Sequence, residues 1–181
     1  MMSRTYHVKN NHGLTINDLF RLEVISKKKF ELAQSVLLID LGNTQQLLEV
    51  MYRTNSTIKV IEQSEKKNII ARKSCIISSK NHILAFADSR IYSKRIPPQM
   101  LSEIRDCKKG IGKLILYHKL EIFKKITEIG YAEGLHIFKK YSLYYNGNVI
   151  CRINEIFPFK INKKYSSYEV TNFVLNLFDI P

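Results

Sequence analysis

The stretch LHIFKKYSLYYNGNVICRINEIF, residues 135–157, decides the fold. Two apolar-rich runs, 135–145 and 148–157, flank the pair Asn146-Gly147. Asn-Gly accepts positive φ at both central positions of a type I′ turn, so the stretch predicts a β-hairpin. With the two-residue period of a strand, Glu155 shares a face with Val149, Cys151, Ile153 and Phe157. Burying an unpaired ionised carboxylate costs several kcal/mol or more, so an acid on such a face is paired, protonated or functional, unless the strand ends at solvent there.

Working outward from this hairpin, strand character covers residues 122–129. Gly110 and Gly112 mark a loop before residues 114–117, and Pro97-Pro98 stops one strand and starts a short helix through Met100, Leu101 and Ile104. Residues 82–87 and 68–78 flank a turn at 79–81, and residues 57–62 alternate. The first third reads helical. One helix begins near Asp18 after a cap at Thr15 or Asn17, a second covers residues 30–38, and Thr44 caps a third that runs through Met51. Helices followed by adjacent hairpins, with no regular βαβ alternation, predict an α+β domain: an antiparallel sheet with helices over one face.

The 181 residues, 45% hydrophobic and 25% charged, suit one soluble domain spanning 1–181. No apolar run approaches the roughly 20 residues that span a bilayer, so no membrane association is expected. The N-terminus lacks a secretory or transit pattern. The three cysteines, Cys75, Cys107 and Cys151, form no CxxC, which argues against a disulfide framework or a zinc site. The formal charge of +13 invites a nucleic-acid reading. The lysines, however, are spread along the chain with many Asn and Ile. Short runs such as Lys124-Lys125, Lys139-Lys140 and Lys163-Lys164 read as solvated faces, so nucleic acid is not expected as a partner.

No GxGxxG, P-loop, HExxH or GxSxG motif occurs, so no nucleotide, metal or serine-nucleophile chemistry is indicated. What remains is Glu155 and a cation in residues 68–78. Arg72 shares a face with Ile70, Ser74 and Ile76, and Lys73 with Ala71, Cys75 and Ile77, so alternation leaves open which points inward. Arginine is the better buried cation, because its planar fork holds a carboxylate by two hydrogen bonds. Arg72 and Glu155 either form an ion pair across the sheet or flank a pocket in which Arg72 holds an anion and Glu155 handles a proton.

On these residues the chain resembles the chorismate lyase family. The matching segments are ARKSCIISSKNHILAFA (71–87), GIGKLIL (110–116), FKKITEIGYAEGL (123–135) and VICRINEIFP (149–158), with LLIDLGNTQQLLE (37–49) less close. Together they span residues 35–160. The Lys/Asn/Ile bias is similar to that of the plastid-encoded branch of the family. The resemblance implies an antiparallel sheet with helical flaps closing over a ligand, and a cofactor-free cleavage of chorismate to 4-hydroxybenzoate and pyruvate by a monomer in the plastid stroma, or in the cytoplasm of a bacterium. Arg72 and Glu155 would be catalytic: Arg72 grips the ring carboxylate, and Glu155 donates a proton to the departing ether oxygen. Ile111 and Gly112 would line the pocket under a flap. Asn43 would face it from the helical side, where the bacterial enzyme commonly has Met, and Phe86 stands where that enzyme has Gly and would fill the pocket if it points inward.

A different expectation from the same fold is a non-catalytic binding domain for a small aromatic acid, as in the effector domains of certain bacterial transcription regulators. Roughly 35 residues precede the matching region, fewer than a separate DNA-binding domain needs.

Overall fold

A computed structural model of the chain describes residues 4–159. The elements in order are β1 (Thr5–Lys9), α1 (Ile16–Ser26), α2 (Leu32–Ile39), α3 (Thr44–Tyr52), β2 (Ser56–Lys66), β3 (Ile69–Ser78), β4 (Ile83–Tyr92), α4 (Pro98–Arg105), α5 (Ile111–Tyr117), β5 (Phe123–Ala132), β6 (His136–Tyr145) and β7 (Asn148–Pro158). The strands form one sheet in the order β1-β5-β6-β7-β4-β3-β2, every pair antiparallel. The α+β class with an antiparallel sheet is therefore the fold. Two meanders, β2-β3-β4 and β5-β6-β7, meet at one seam where β4 pairs with β7.

The β6–β7 hairpin turns where expected, with φ of 47° at Asn146 and 74° at Gly147. Buried side chains of all five helices (Leu22, Leu38, Leu48, Met100, Ile104 and Leu114 among them) join one core with Ile70, Ile91, Ile129 and Ile153 from the sheet. The helices thus cover one face, each turning buried apolar side chains onto the sheet. The opposite face carries a smaller cluster of Cys75, Ile83, Phe86, Phe138 and Ile156.

Four local readings need correction. The first third is not helical throughout: β1 pairs with β5 from Thr5↔Ala132 to Lys9↔Glu128. Its five residues bury only Val8, so no alternation announces it. Thr44 does not cap α3; Asn43 does, its side chain accepting from the Gln46 amide at 3.2 Å. Residues 110–113 are not a loop, since Gly110 is the N-cap of α5 and Gly112 lies in its first turn. Pro97-Pro98 does not end β4, which stops at Tyr92 before a turn of 3-10 helix over Ser93–Arg95; Pro98 does open α4. The Lys163-Lys164 run lies outside the described residues.

Candidate functional site

Between the sheet and the helices lies a cavity of about 300 Å³. Its walls are mostly aliphatic, with Ile58, Ile76, Ile115, Leu143 and Ile153 contributing, and its polar groups come from opposite ends. Small size, apolar walls and a few placed polar groups are the features of a small-molecule site.

One end is Arg72. Of the two neighbouring cations on β3 it is the one turned inward, 1% exposed. Its Nε donates to Gln63 Oε1 at 2.6 Å, directly opposite on β2, and its Nη1 to the Lys109 carbonyl at 3.2 Å. Its Nη2 donates to the Ile104 carbonyl in the last turn of α4. A helix C-terminus favours a cation, which helps offset burial; burial nevertheless pulls the Arg72 pKa below its usual value. All three acceptors are neutral. A guanidinium has five N–H groups, so donors remain for an incoming acceptor.

The other end is Glu155 on β7. Its Oε1 accepts from the Tyr141 hydroxyl at 2.8 Å and its Oε2 from Thr44 Oγ1 at 2.9 Å, with Lys139 Nζ 3.7 Å away. Lys139, opposite Glu155 on β6, is fully buried, donates to the Asp40 carbonyl at 3.3 Å and lies 3.9 Å from Asp40 Oδ2. Lys124 on β5 also reaches in. Its Nζ donates to the Gly42 carbonyl at 3.1 Å and sits 4.2 Å from the centre of the Tyr141 ring. Burial, and the Glu155 charge after it, hold the Tyr141 hydroxyl well above its usual pKa.

The Arg72–Glu155 ion pair does not form. Arg72 pairs with Ser89 and Ser89 with Ile153, two residues short of Glu155, so the two Cα atoms are two strands and two residues apart. That is roughly 12 Å by ordinary strand spacings. The structure therefore separates the two charged groups across one cavity.

The roof comes from α5 and the loop before α3. A Cβ on Gly112 would stand 2.9 Å from Asn43 Nδ2, and one on Gly110 would stand 2.7 Å from Ile58 Cγ1. These glycines let the start of α5 press onto the pocket rim. Arg72, Glu155, Ile111, Gly112 and Asn43 all line the cavity. Phe86 does not. It pairs with Cys75 and Ile156 and is buried with them in the cluster on the opposite face, so it cannot fill this pocket.

Thr44, Lys124, Lys139 and Tyr141 were not singled out from sequence. The lysines carried a usable signal. Strand alternation places Lys139 with Ile137, Tyr141 and Leu143, and Lys124 with Ile122 and Ile126. A second, wider depression of about 640 Å³ involves Arg90, Lys125, Lys140 and Arg152, but both arginines there are solvent-exposed. Among the described residues no group of three His, Cys, Asp or Glu side chains is placed to hold a metal ion.

No family model matches the chain, and no curated protein matches it. Among solved structures it is similar to the effector domain of PhnF from Mycobacterium smegmatis, at 8% identity and a TM-score of 0.49, over 68% of this chain and 92% of that one. It is also similar to the C-terminal domain of the histidine utilization repressor from Pseudomonas syringae pv. tomato, at 11% identity and 0.40, over 62% and 97%. A third likeness is to a structure described as a GntR-family transcriptional regulator, at 8% and 0.41, over 67% and 61%. With TM-scores below 0.5 none of them decides a function.

The reading as a chorismate lyase is corrected: no family model and no curated protein supports it, and the similar structures are named for an effector domain, a repressor and a regulator, none for a lyase. The site agrees with the correction: Glu155 is not a lone acid in an apolar pocket but an acceptor held by two hydroxyls beside an ammonium. The expectations of lyase activity, of 4-hydroxybenzoate and pyruvate as products, and of a plastid setting lose their support. Nor does a likeness to a repressor and a regulator support setting nucleic acid aside.

Proposed function

We propose that this domain is a receptor for a small organic acid, binding it without converting it. The observation that carries this reading is Arg72: a fully buried cation on a mostly apolar cavity, held in place among the described residues by three neutral acceptors, with N–H groups beyond those three hydrogen bonds. A carboxylate supplies the missing counter-charge in the planar geometry that a guanidinium matches. The aliphatic walls take a flat or branched apolar body, and the far end offers the Glu155, Tyr141 and Thr44 cluster to a polar tail.

Thermal unfolding with benzoate as the probe tests this. A ligand at about 100 times its Kd stabilises the native state by about 2.7 kcal/mol, which raises Tm by several degrees. That shift should vanish in Arg72→Gln. If benzoate and its alkyl-carboxylate analogues at millimolar concentration leave Tm unchanged in the wild type, the reading fails.

A further inference from the structure

Lys124 is a buried amine with no carboxylate in direct contact among the described residues. The whole residue is 8% exposed, it lines the cavity, and its one hydrogen-bond partner is the Gly42 carbonyl at 3.1 Å. Its neighbour Lys139 differs. Lys139 lies 3.7 Å from a Glu155 oxygen and 3.9 Å from an Asp40 oxygen, so its ammonium is held between two carboxylates. Among the described residues no carboxylate lies within ion-pairing distance of Lys124; its ammonium faces the Tyr141 ring and the Lys139 charge, and the Glu155 and Asp40 carboxylates, further off, offset that charge only in part.

We propose that Lys124 is a nucleophilic amine that joins a carbonyl-bearing acid in the pocket as a reversible imine. The reading rests on the receptor function above for the ligand's acid group and names the class of its other end: an aldehyde or ketone several ångströms from the carboxylate, since Arg72 and Lys124 enter from β3 and β5, at different ends of the cavity. In the step, the neutral amine nitrogen attacks the carbonyl carbon to give a carbinolamine. The C–O bond then breaks, the oxygen leaves as water with both amine hydrogens, and a C=N bond remains. No oxidant or reductant is consumed. A mostly apolar site around a buried amine favours this step because the amine must be uncharged to react and an occupant that fills the site keeps water from reversing it. Burial, and the Lys139 ammonium after it, pull the Lys124 pKa down to about 8, whereas an exposed lysine stays near 10.4.

The test uses 4-formylbenzoate as the probe, with sodium borohydride to reduce any imine, at pH 8, read by intact mass and peptide mapping of the full chain. The expected result is one added carboxybenzyl group on Lys124, roughly tenfold or more above any exposed lysine, given the larger uncharged fraction of a lysine with a lowered pKa. Excess benzoate should suppress it, and Lys124→Arg should lack it. If 4-formylbenzoate raises Tm yet Lys124 is trapped no faster than exposed lysines, the inference is overturned while the receptor reading stands. If 4-formylbenzoate does not bind, propanal replaces it, because a neutral aldehyde needs no Arg72. Preferential labelling of Lys124 by propanal then supports the inference with the receptor reading lost, and its absence overturns both.

Discussion

The two ends of the cavity solve the burial of charge in opposite ways. Arg72 is a single cation among neutral acceptors, two of them main-chain carbonyls. Glu155 is an anion in a crowd: two hydroxyls, the Lys139 ammonium, and Lys124 beyond the Tyr141 ring. Among the described residues the Arg72 end has its positive charge without a partner of opposite sign, so a ligand can supply one. The Glu155 end is already populated by both signs, so it has less to gain from an ion and more to lose from a deletion. A pocket built this way distinguishes the two ends of an asymmetric molecule before any contact of shape.

This contrast can be broken by substitution. The largest effect is expected from Glu155→Ala, which leaves the buried Lys139 ammonium with only the Asp40 carboxylate at 3.9 Å and strands two hydroxyl donors in the core. Removing one partner of a buried pair costs about 3–5 kcal/mol, and urea unfolding should show a loss of that size. Lys124→Met should act in the other direction. The folded-state pKa of Lys124 lies at about 8 against 10.5, so between those values the unfolded chain binds the extra proton and stability rises with pH. Below pH 8 the full penalty is present, up to about 3 kcal/mol. The variant should therefore be the more stable protein at pH 7, and its stability should lose the rise between pH 8 and 10.5. Equal slopes in the two proteins would show that Lys124 is not desolvated.

Arg72→Met comes next. It leaves the Ile104 and Lys109 carbonyls without their donor but strands no charge, so a loss of about 2 kcal/mol is expected in the same urea experiment. A loss as large as that of Glu155→Ala would erase the distinction between the ends. Smallest is Asn43→Ala, which removes the N-cap of α3 and should cost about 1 kcal/mol, with a matching small fall in Tm and no change at either charged end.

How much of this was legible beforehand follows from strand parity. The β6–β7 hairpin was readable because Asn146-Gly147 fits only one common turn and the flanking runs alternate. Glu155 stood out as an isolated acid on an apolar face. Lys124 and Lys139 are in the same position but are hidden by their neighbours. In each Lys-Lys pair one residue points into the core and the next, Lys125 or Lys140, points to the other face, so the dipeptide reads as solvated. Arg72-Lys73 and Phe86 failed to resolve for a related reason: both faces of β3 and β4 bury apolar residues, so periodicity carries no inward sign. Thr44 looked like a helix cap by residue type, yet the preceding Asn43 takes that task and frees the Thr44 hydroxyl for Glu155. The enzymatic reading went wrong at the level of environment, since sequence shows an acid but not the company it keeps across three strands.

The seam between β4 and β7 has a consequence for how the molecule assembles. Arg72 belongs to one meander, while Glu155, Tyr141, Lys139 and Lys124 belong to the other. Each meander is made of neighbours in sequence, but residues 86–91 must find residues 151–156 before the two halves join. Contacts between distant segments carry the greater loop-closure cost and tend to form slowly. Neither half alone can present both ends of the cavity. An occupant that reached from one meander to the other would act as a brace across the seam, slowing amide exchange there most of all, so occupancy would report that the two halves of the sheet have come together.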